Sequence, residues 1–548
     1  MKFNWKSLTG ITMGSSLVLL MLFANQLELD NNPAWGTKRY ILFFAGVFIL
    51  ILSLLYREDN FIGHIFDTYN GQLHLGVSVL SAVVILYYVW CVTIGLWTKW
   101  PYETNYYNLQ AAAFSHGQIA LEVQPDPALL AFKGFDLYEP DNREGIPVLW
   151  DATLYKGNYY LYWGPAPAVF LAMVKLFYPK EVGDNILTFA FLAGTFLFMV
   201  LTILELWTRY YPKTPRWAVL LSIAFAGLVN PMTYILFEPR IYEAAIIGAQ
   251  FFLIGGTYFL ITAFDRPSAP RLALAGIFLA CAVGSRTTLI PSIGFLALIT
   301  LIWAVKSQRA NALRLITAIA IPLIIGAISY AWYNYTRFDS ITEFGLHYQL
   351  TSYNLYELLG ETFSPAYIPP NLYKTLFNPF ERRDTFPYIF PTRWVGPAWL
   401  EKANYPSFYL LLAESITGIL AGSPFMIFAS LAGSNKDRNI RWIAAALAGS
   451  ALLSFFMLQV FFFTTMRYLL DLIPTLSLLA VIGFWQGLNL IKSRPIARFT
   501  YTAFSVLLFA YGLVMSFTLS ISAHFEQIRG NNPELLKQLT WMFNGLLK

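Results

Sequence analysis

The sequence predicts an all-α polytopic membrane protein. Hydrophobic residues make up 57% of the 548 residues, only 12% are charged, and the mean hydropathy is +0.52. Soluble domains do not reach this balance, because too little polar surface would remain. Apolar runs of about 18 or more residues recur along the chain, each long enough as a helix to cross a hydrocarbon core of about 30 Å. A transmembrane barrel would need many short alternating strands, so a helical bundle is predicted.

We predict about 13 transmembrane helices. The apolar runs place them at 8–27, 39–56, 73–97, 186–207, 216–237, 241–264, 271–285, 289–306, 313–333, 415–432, 442–463, 469–488 and 500–521. The first run could be a signal peptide, but no small-residue cleavage site follows it, and we interpret it as a span. The two cysteines, Cys91 and Cys281, both lie in apolar runs and suggest no disulfide framework.

The placement of basic residues predicts the orientation. A cytoplasmic N-terminus makes each of five short cytoplasmic loops basic, whereas the opposite short loops carry single arginines, and this is the asymmetry of the positive-inside rule. The basic loops contain Arg209/Lys213/Arg216, Arg266/Arg271, Lys306/Arg309/Arg314, Lys436/Arg438/Arg441 and Lys492/Arg494/Arg498. The C-terminus is then predicted to be extracytoplasmic.

Two long segments are predicted to face outward, and function is expected there. In the first, Lys156-Gly157-Asn158 indicates a turn between two aromatic strand-like stretches, and Pro165 to Tyr178 is a helix too short to span. The second is rich in proline, which disfavours long helices. The predicted organisation is a transmembrane hairpin (1–72), a transmembrane core (73–333) containing the first outer loop (98–185), the second outer loop (334–414), C-terminal transmembrane helices (415–521) and an outer tail (522–548).

A carboxylate, Glu103, follows the third predicted span directly. Behind it, Tyr107, Ala111 and Phe114 have helical spacing, so residues 104–116 are predicted to form a short interfacial helix. Glu103 at the start of this helix has two interpretations of similar weight. It could complement the helix dipole, or it could be a general base that removes a proton from an acceptor just outside the membrane.

The order of these elements resembles the GT-C superfamily of integral-membrane glycosyltransferases. The stretch "ETNYYNLQAAAF" is similar to the start of the first outer loop in lipid A aminoarabinose transferases and protein mannosyltransferases. The resemblance implies that Glu103 lies at the active site, although the usual pair of acids is reduced to one, with Tyr102 in the first place. Asp151 and Asp126 are the reserve candidates, and for each a turn-capping or hairpin-stabilising role is preferred over catalysis.

Several arginines are candidate ligands of a donor phosphate. Arg240, Arg286 and Arg467 each lie at the outer end of a predicted span, and a planar guanidinium suits phosphate oxygens. Ion pairing is the competing interpretation, of Arg240 with Glu243 and of Arg467 with Asp471. Arg382 and Arg383 in the second outer loop are further candidates, although an exposed pair is usually solvated.

No metal or nucleotide motif is found. The five histidines are scattered without ligand spacing, and no GxxxxGK or GxGxxG loop occurs, so no cofactor and no nucleic-acid partner are predicted. A divalent ion stays compatible with the chemistry, because Glu103 with Asp126 or Asp151 could supply oxygen ligands. Nucleotide sugars are not present on the outer side of the membrane, so a polyprenyl-phosphate sugar is the expected donor for an enzyme whose site faces outward.

The leading hypothesis is an inverting glycosyltransferase in a bacterial plasma membrane. In it, Glu103 deprotonates an acceptor, and polyprenyl phosphate leaves into the arginine pocket. The partners are then a lipid-linked sugar donor, membrane lipids and an acceptor that the sequence does not identify. A lipid or glycan transporter is one rival, and it would predict buried charges in mid-span. A non-catalytic scaffold subunit of a larger complex is the other.

Overall fold

Helices form most of the chain in the computed structural model, which describes residues 5–27, 29, 36–56, 68–393 and 414–546. Among these residues, nine helical segments are long and apolar enough to cross a membrane, judged by length and composition. The prediction of an all-α polytopic membrane protein is confirmed. The count of 13 spans stays a prediction, because several of the predicted spans are shorter helices here.

The helices follow in chain order. They are α1 (Trp5–Leu22), α2 (Thr37–Leu55), α3 (Tyr69–Val92), α4 (Tyr106–Ser115), α5 (Pro127–Leu130), α6 (Ala166–Lys175), α7 (Asp184–Tyr210), α8 (Arg216–Leu228), α9 (Ile241–Asp265), α10 (Ala269–Val283), α11 (Ile290–Ser307), α12 (Ala312–Phe338), α13 (Leu355–Leu358), α14 (Ile368–Phe377), α15 (Ile419–Gly422), α16 (Arg438–Val460), α17 (Ile473–Leu490), α18 (Pro495–Ala523), α19 (Phe525–Asn531) and α20 (Pro533–Leu546). The strands of the described residues form two antiparallel hairpins, β1 (Thr153–Tyr155) with β2 (Asn158–Tyr160), and β3 (Phe380–Arg382) with β4 (Ile389–Pro391).

The chain divides into two compact units, Met1–Ala82 and Val83–Lys548. In the first, α1 and α2 pack together through small residues. A Cβ atom on Gly14 would lie 2.7 Å from the backbone nitrogen of Leu50 and 2.9 Å from the carbonyl oxygen of Gly46. Glycine therefore permits the close approach that membrane helices use. The assignment of residues 1–72 to a separate hairpin stays a prediction.

In the second unit, α9 and α17 are the most enclosed helices. In each, 83% of the apolar window is buried, whereas α12 lies at the edge with 11% buried. Their apolar residues pack against neighbouring helices, so their outer ends are fixed by packing on several sides. Helix α9 begins at Ile241, and the candidate site is assembled at this end of the helix.

Two predicted spans are not continuous helices. The span predicted at 216–237 is helical only to Leu228, because Pro231 has no amide hydrogen to continue the helix, and a single 3₁₀ turn follows at Tyr234–Leu236. The span predicted at 415–432 consists of the one-turn helix α15 and a 3₁₀ stretch, Pro424–Ser434. A hydropathy pattern reports apolar length and does not resolve such breaks.

The elements predicted in the first outer loop are present. Helix α4 lies within the predicted 104–116, and α6 lies within Pro165 to Tyr178. The predicted hairpin is β1–β2, and its two turn residues, Lys156 and Gly157, have φ values of 48° and 76°. Two positive φ values are typical of the tight turn that matches the strand twist.

The two outer loops lie against each other. The Asp151 amide donates to the Leu350 carbonyl at 2.9 Å, and the Leu350 amide donates to the Ala152 carbonyl at 2.9 Å. These bonds join the first loop to the second directly before β1. Both loops are therefore on one side of the protein, as the predicted topology requires. In the described part of the second loop the longest helix is α14, with 10 residues, which agrees with the proline content.

Candidate active site

The start of α9 is tied to the first outer loop by Thr104. The Ile241 amide donates to Thr104 Oγ1 at 2.9 Å, and Thr104 Oγ1 donates to Asp184 Oδ2 at 2.6 Å. Asp184 is the first residue of α7 and is fully buried. Three segments that are distant in sequence, those of Thr104, Asp184 and Ile241, thus meet at one point, which we call the corner.

Glu103 lies at the exposed edge of this corner. Its Oε1 atom accepts a hydrogen bond from Gln527 Nε2 at 2.5 Å. It does not bond to the first amides of α4, because the carboxylate of Asp184 accepts from Tyr106 N at 2.9 Å and from Tyr107 N at 3.2 Å. The helix-dipole role considered for Glu103 is therefore filled by Asp184, a buried acid that sequence reasoning missed.

Asp151 is presented by a strained turn. The Ala152 amide donates to the Leu149 carbonyl at 3.1 Å, which makes Asp151 the third residue of a β-turn, and its φ is 58°. Glycine or asparagine usually occupies this conformation, which costs other residues on the order of 1–3 kcal/mol. The turn directs the Asp151 side chain inward, where it is 6% exposed and accepts a hydrogen bond from the Tyr242 hydroxyl.

Tyr242 lies between two arginines. The guanidinium carbon of Arg240 is 5.3 Å from the centroid of the Tyr242 ring, and that of Arg467 is 5.2 Å away. Both arginines also approach one carboxylate, Glu243, at 3.6 Å from Arg240 and 3.7 Å from Arg467. Asp151, Arg240 and Arg467 are thereby brought into one cluster, with Tyr242 and Glu243 at its centre.

Of the two ion pairs predicted for these arginines, one is present and one is not. The pairing of Arg240 with Glu243 is present, and Arg240 also binds Glu238 at 2.8 Å. Arg467 does not pair with Asp471. It binds Glu414 at 2.9 Å instead. Residues Met466–Asp471 form a 3₁₀ helix, in which positions four apart do not share a face.

Asp471 pairs with Arg286. The Arg286 Nε atom lies 2.8 Å from Asp471 Oδ2, and the guanidinium carbon lies 4.8 Å from the Tyr468 ring. The Arg467 guanidinium is 5.8 Å from the same ring. The three span-end arginines of the sequence prediction therefore form one continuous cluster, linked by Tyr242 and Tyr468.

Four predicted residues have no hydrogen bond or ion pair to this cluster among the described residues, namely Glu103, whose partner is Gln527, and Asp126, Arg382 and Arg383. Asp126 caps α5, where its Oδ1 accepts from the Ala128 amide at 2.8 Å, as the turn-capping interpretation expects. Arg382 and Arg383 lie on the exposed hairpin β3–β4, and Arg383 binds Glu381 at 2.8 Å. Their role in phosphate binding stays a prediction.

Acidic groups outnumber the arginines in the cluster. The carboxylates are Asp151, Glu238, Glu243, Glu414 and Asp471, against Arg240, Arg286 and Arg467. Burial raises the pKa of Glu238, and the nearby Arg240 only partly opposes this. Burial alone would lower the pKa of Arg467, but Glu243 and Glu414 outweigh it and hold that pKa above its ordinary value. A ligand phosphate therefore has to exchange with a carboxylate partner.

The cluster contains residues that the sequence did not single out. Glu414 lies at the end of the second loop in a stretch without charge pattern, and Tyr242 and Tyr468 look like ordinary aromatic residues at span ends. In the described part of the chain, no three His, Cys, Asp or Glu side chains form a group that could hold a metal ion. Glu103, Asp126 and Asp151 do not form such a group either.

No protein-family model matches the chain, and a search of curated proteins finds no significant match. Solved structures show a distant similarity. The apo oligosaccharyltransferase of Archaeoglobus fulgidus is 12% identical with a TM-score of 0.46, covering 82% of this chain and 56% of that one. ArnT from Cupriavidus metallidurans bound to undecaprenyl phosphate is 11% identical with a TM-score of 0.42, covering 85% and 78%.

A second archaeal structure, oligosaccharyltransferase AglB in complex with an inhibitory peptide and a dolichol-phosphate, is 11% identical with a TM-score of 0.40, covering 84% of this chain and 58% of that one. The chain thus spans a little over half the length of the archaeal structures. These proteins are GT-C membrane glycosyltransferases, the superfamily that the sequence resembles. TM-scores this low transfer neither residue roles nor an activity to this chain.

Proposed function

We propose that this protein is a membrane-embedded glycosyltransferase. It would move a sugar from a polyprenyl-phosphate donor to an acceptor at the outer face, with inversion at the anomeric carbon. The observation that carries the proposal is the buried carboxylate of Asp151, which Tyr242 connects to Arg240 and Arg467. Sugar transfer from a phosphate needs these two functions side by side, a base for the acceptor proton and cations for the leaving phosphate.

We assign the base to Asp151 in preference to Glu103. Asp151 Oδ2 accepts from Tyr242, while its buried Oδ1 has no hydrogen-bond partner among the described residues. A buried carboxylate oxygen without a donor is costly, and an acceptor hydroxyl would satisfy it. Glu103 is exposed and already bonded to Gln527. It stays the alternative base, because Thr104 holds it next to the start of α9.

The proposed reaction is a single displacement. The acceptor hydroxyl gives its proton to Asp151 Oδ1, and its oxygen attacks the anomeric carbon from the face opposite the phosphate. The bond between the anomeric carbon and the phosphate oxygen breaks, and the electron pair stays on that oxygen. Arg240, Arg467 and Arg286 would stabilise the resulting charge after the phosphate has displaced carboxylate partners such as Glu243.

The experiment that tests this proposal is the release of polyprenyl phosphate from a panel of polyprenyl-phosphate sugars by the purified protein, in the presence of a mixed panel of hydroxyl-bearing acceptors. We expect release from at least one donor, and a loss of more than about tenfold in Arg467→Gln, because a charge-assisted bond contributes about 1.5–3 kcal/mol. Lys156→Gln is the matched control, since Lys156 also pairs with a carboxylate in an outer loop but is 68% exposed.

The failures of this assay are informative. If the wild type releases nothing and binds none of the donors, the scaffold hypothesis replaces the enzyme. If it binds a donor without ever cleaving it, a transporter of lipid-linked sugars becomes the better interpretation.

A further inference from the structure

Trp150 is exposed on the same turn that buries Asp151. Its side chain is 47% exposed, and among the described residues it stacks on no other ring. Its backbone is nevertheless held in place, because the Tyr106 hydroxyl donates to the Trp150 carbonyl at 2.8 Å and the Leu149–Ala152 bond closes the turn. The chain therefore fixes a large aromatic face in solvent directly beside the proposed base.

A membrane-interface role does not explain this tryptophan well. Interfacial tryptophans lie where spans leave the bilayer, whereas Trp150 is in the middle of the first outer loop. The stretch that leads to it includes Asp141, Asn142 and Glu144, all of which are exposed. These exposed polar side chains indicate that the stretch before Trp150 faces water.

Two tyrosines surround the turn on its polar side. Tyr106 is half-buried, and burial with the nearby Asp151 raises its pKa to about 12, so its hydroxyl stays protonated. Tyr353 comes from the second outer loop and interacts electrostatically with Asp151, Glu414 and Arg467. Tyr353 is therefore near the cluster, and the surroundings of Asp151 combine one apolar ring face with the hydroxyl groups of tyrosines.

We propose that Trp150 is the stacking surface for a sugar ring of the acceptor, which makes the acceptor a glycan. A pyranose presents a face of C–H bonds that packs on an indole and an edge of hydroxyl groups that bond to tyrosine and carboxylate oxygens. With its ring on Trp150, the acceptor would be held at the turn that carries Asp151, whose buried Oδ1 has no hydrogen-bond partner among the described residues. An extended peptide would instead need partners for its amides, and the end of β1 next to the turn is already paired with Leu350 and Gln349 of the second outer loop. The inference rests on the proposed glycosyl transfer.

The test measures transfer to a panel of soluble neutral oligosaccharides and a panel of serine- and threonine-containing peptides. We expect the glycans to accept the sugar. Trp150→Ala should raise the KM for the glycan roughly three- to tenfold, more than it changes kcat, as expected for the loss of an aromatic contact. Trp150→Phe should recover most of the lost affinity. Trp541→Ala is the control, since Trp541 is 79% exposed on α20, which contacts the second outer loop at Phe386 and Tyr388 and, among the described residues, has no hydrogen bond or ring contact with the turn of Trp150.

A second measurement needs no donor. Direct binding of the same oligosaccharides to the wild type and to Trp150→Ala should show weaker binding to the variant. The inference is overturned if only peptides accept the sugar, if Trp150→Ala leaves both the KM and the binding unchanged, or if the wild type binds no oligosaccharide. If the wild type cleaves the donor but one of these results is obtained, only the inference about Trp150 fails. If the wild type cleaves no donor, the proposed function itself fails.

Discussion

Tyr242 is the residue that connects the acidic and the basic parts of the cluster. Its hydroxyl bonds to Asp151, and its ring faces the guanidinium groups of Arg240 and Arg467. We expect Tyr242→Phe to keep the ring contacts and to leave Asp151 with neither oxygen bonded. Turnover should fall about 10- to 100-fold, since a hydrogen bond to a charged group contributes about 1.5–3 kcal/mol.

The control for this prediction is Tyr138→Phe. The Tyr138 hydroxyl donates to the Leu154 carbonyl at 2.9 Å in the same loop, but it does not contact Asp151. The measurement is the initial rate of sugar transfer at a saturating donor concentration, which should fall in Tyr242→Phe and stay near the wild-type rate in Tyr138→Phe. Equal losses would mean that Tyr242 acts only through the packing of the loop.

Single residues differ in how far the sequence predicts them. Charge at a span end is costly unless it has a partner, so Arg240, Arg286 and Arg467 could be recognised as a set. Their partners could not, because Glu414 and Asp471 reach them through folded loops that local spacing does not describe. Asp151 was recognised only as a reserve candidate, because the positive φ that buries its side chain has no sequence signal in an aspartate.

At the scale of elements, Asp184 holds the beginnings of α4 and α7 together. Its carboxylate accepts from Thr104 Oγ1 and from the amides of Tyr106 and Tyr107, and all of these groups are at least half-buried. We expect Asp184→Ala to lower the free energy of unfolding by about 1–3 kcal/mol, because three donors lose their acceptor. Thermal unfolding in detergent measures the effect.

Asp126→Ala is the comparison for Asp184→Ala. Asp126 caps α5 through one amide only, and α5 has four residues, so its loss should cost about 1 kcal/mol or less. A larger drop in melting temperature for Asp126→Ala than for Asp184→Ala would contradict this account of the two carboxylates.

The end of α18 should respond to pH through His524. The Nδ1 atom of His524 donates to the Ser520 carbonyl at 2.9 Å, and burial lowers its pKa from 6.5 to about 4, with Arg240 and Arg467 acting in the same direction. Glu238 Oε2 is 3.9 Å from the Nε2 atom, too far for a hydrogen bond. Because the unfolded chain binds a proton that the folded chain does not, this residue removes stability as the pH falls from about 6.5 to about 4.

His524→Phe should weaken that pH dependence. Phenylalanine keeps the ring that stacks on Phe237 at 6.0 Å and cannot take up a proton. Melting temperatures measured between pH 4 and pH 7 should therefore fall less steeply with acid in the variant than in the wild type. Parallel curves for the two proteins would show that His524 titrates normally in the fold.

At the scale of the whole molecule, the alternation of apolar runs and basic loops predicts the helical membrane architecture. It does not predict where helices break. Pro231 and Pro424 were visible in the sequence, but whether a proline kinks or ends a helix depends on which neighbours satisfy the freed backbone groups. The contact between the two outer loops was implied only by their predicted location on one side of the membrane, and it holds the turn that carries Asp151 against Leu350.

The orientation of the molecule is a separate prediction. After replacement of Cys91 and Cys281 by alanine, a membrane-impermeant maleimide should label Lys133→Cys, in the first outer loop, in intact cells. It should label Arg494→Cys only after permeabilisation, because that loop is predicted to be cytoplasmic. Both positions are exposed. The reverse pattern would invert the topology and place the cluster on the cytoplasmic side.

The measurement that tests the central claim most directly is sugar transfer by Asp151→Asn beside Glu103→Gln, each with donor binding determined in parallel. Asp151→Asn should bind the donor and lose at least about 100-fold in transfer, because general base catalysis typically contributes 10²–10⁴, while Glu103→Gln stays within a few-fold of the wild type. Loss in Glu103→Gln alone would move the base to Glu103. Unchanged transfer in both variants would contradict the claim that this cluster is the reaction centre.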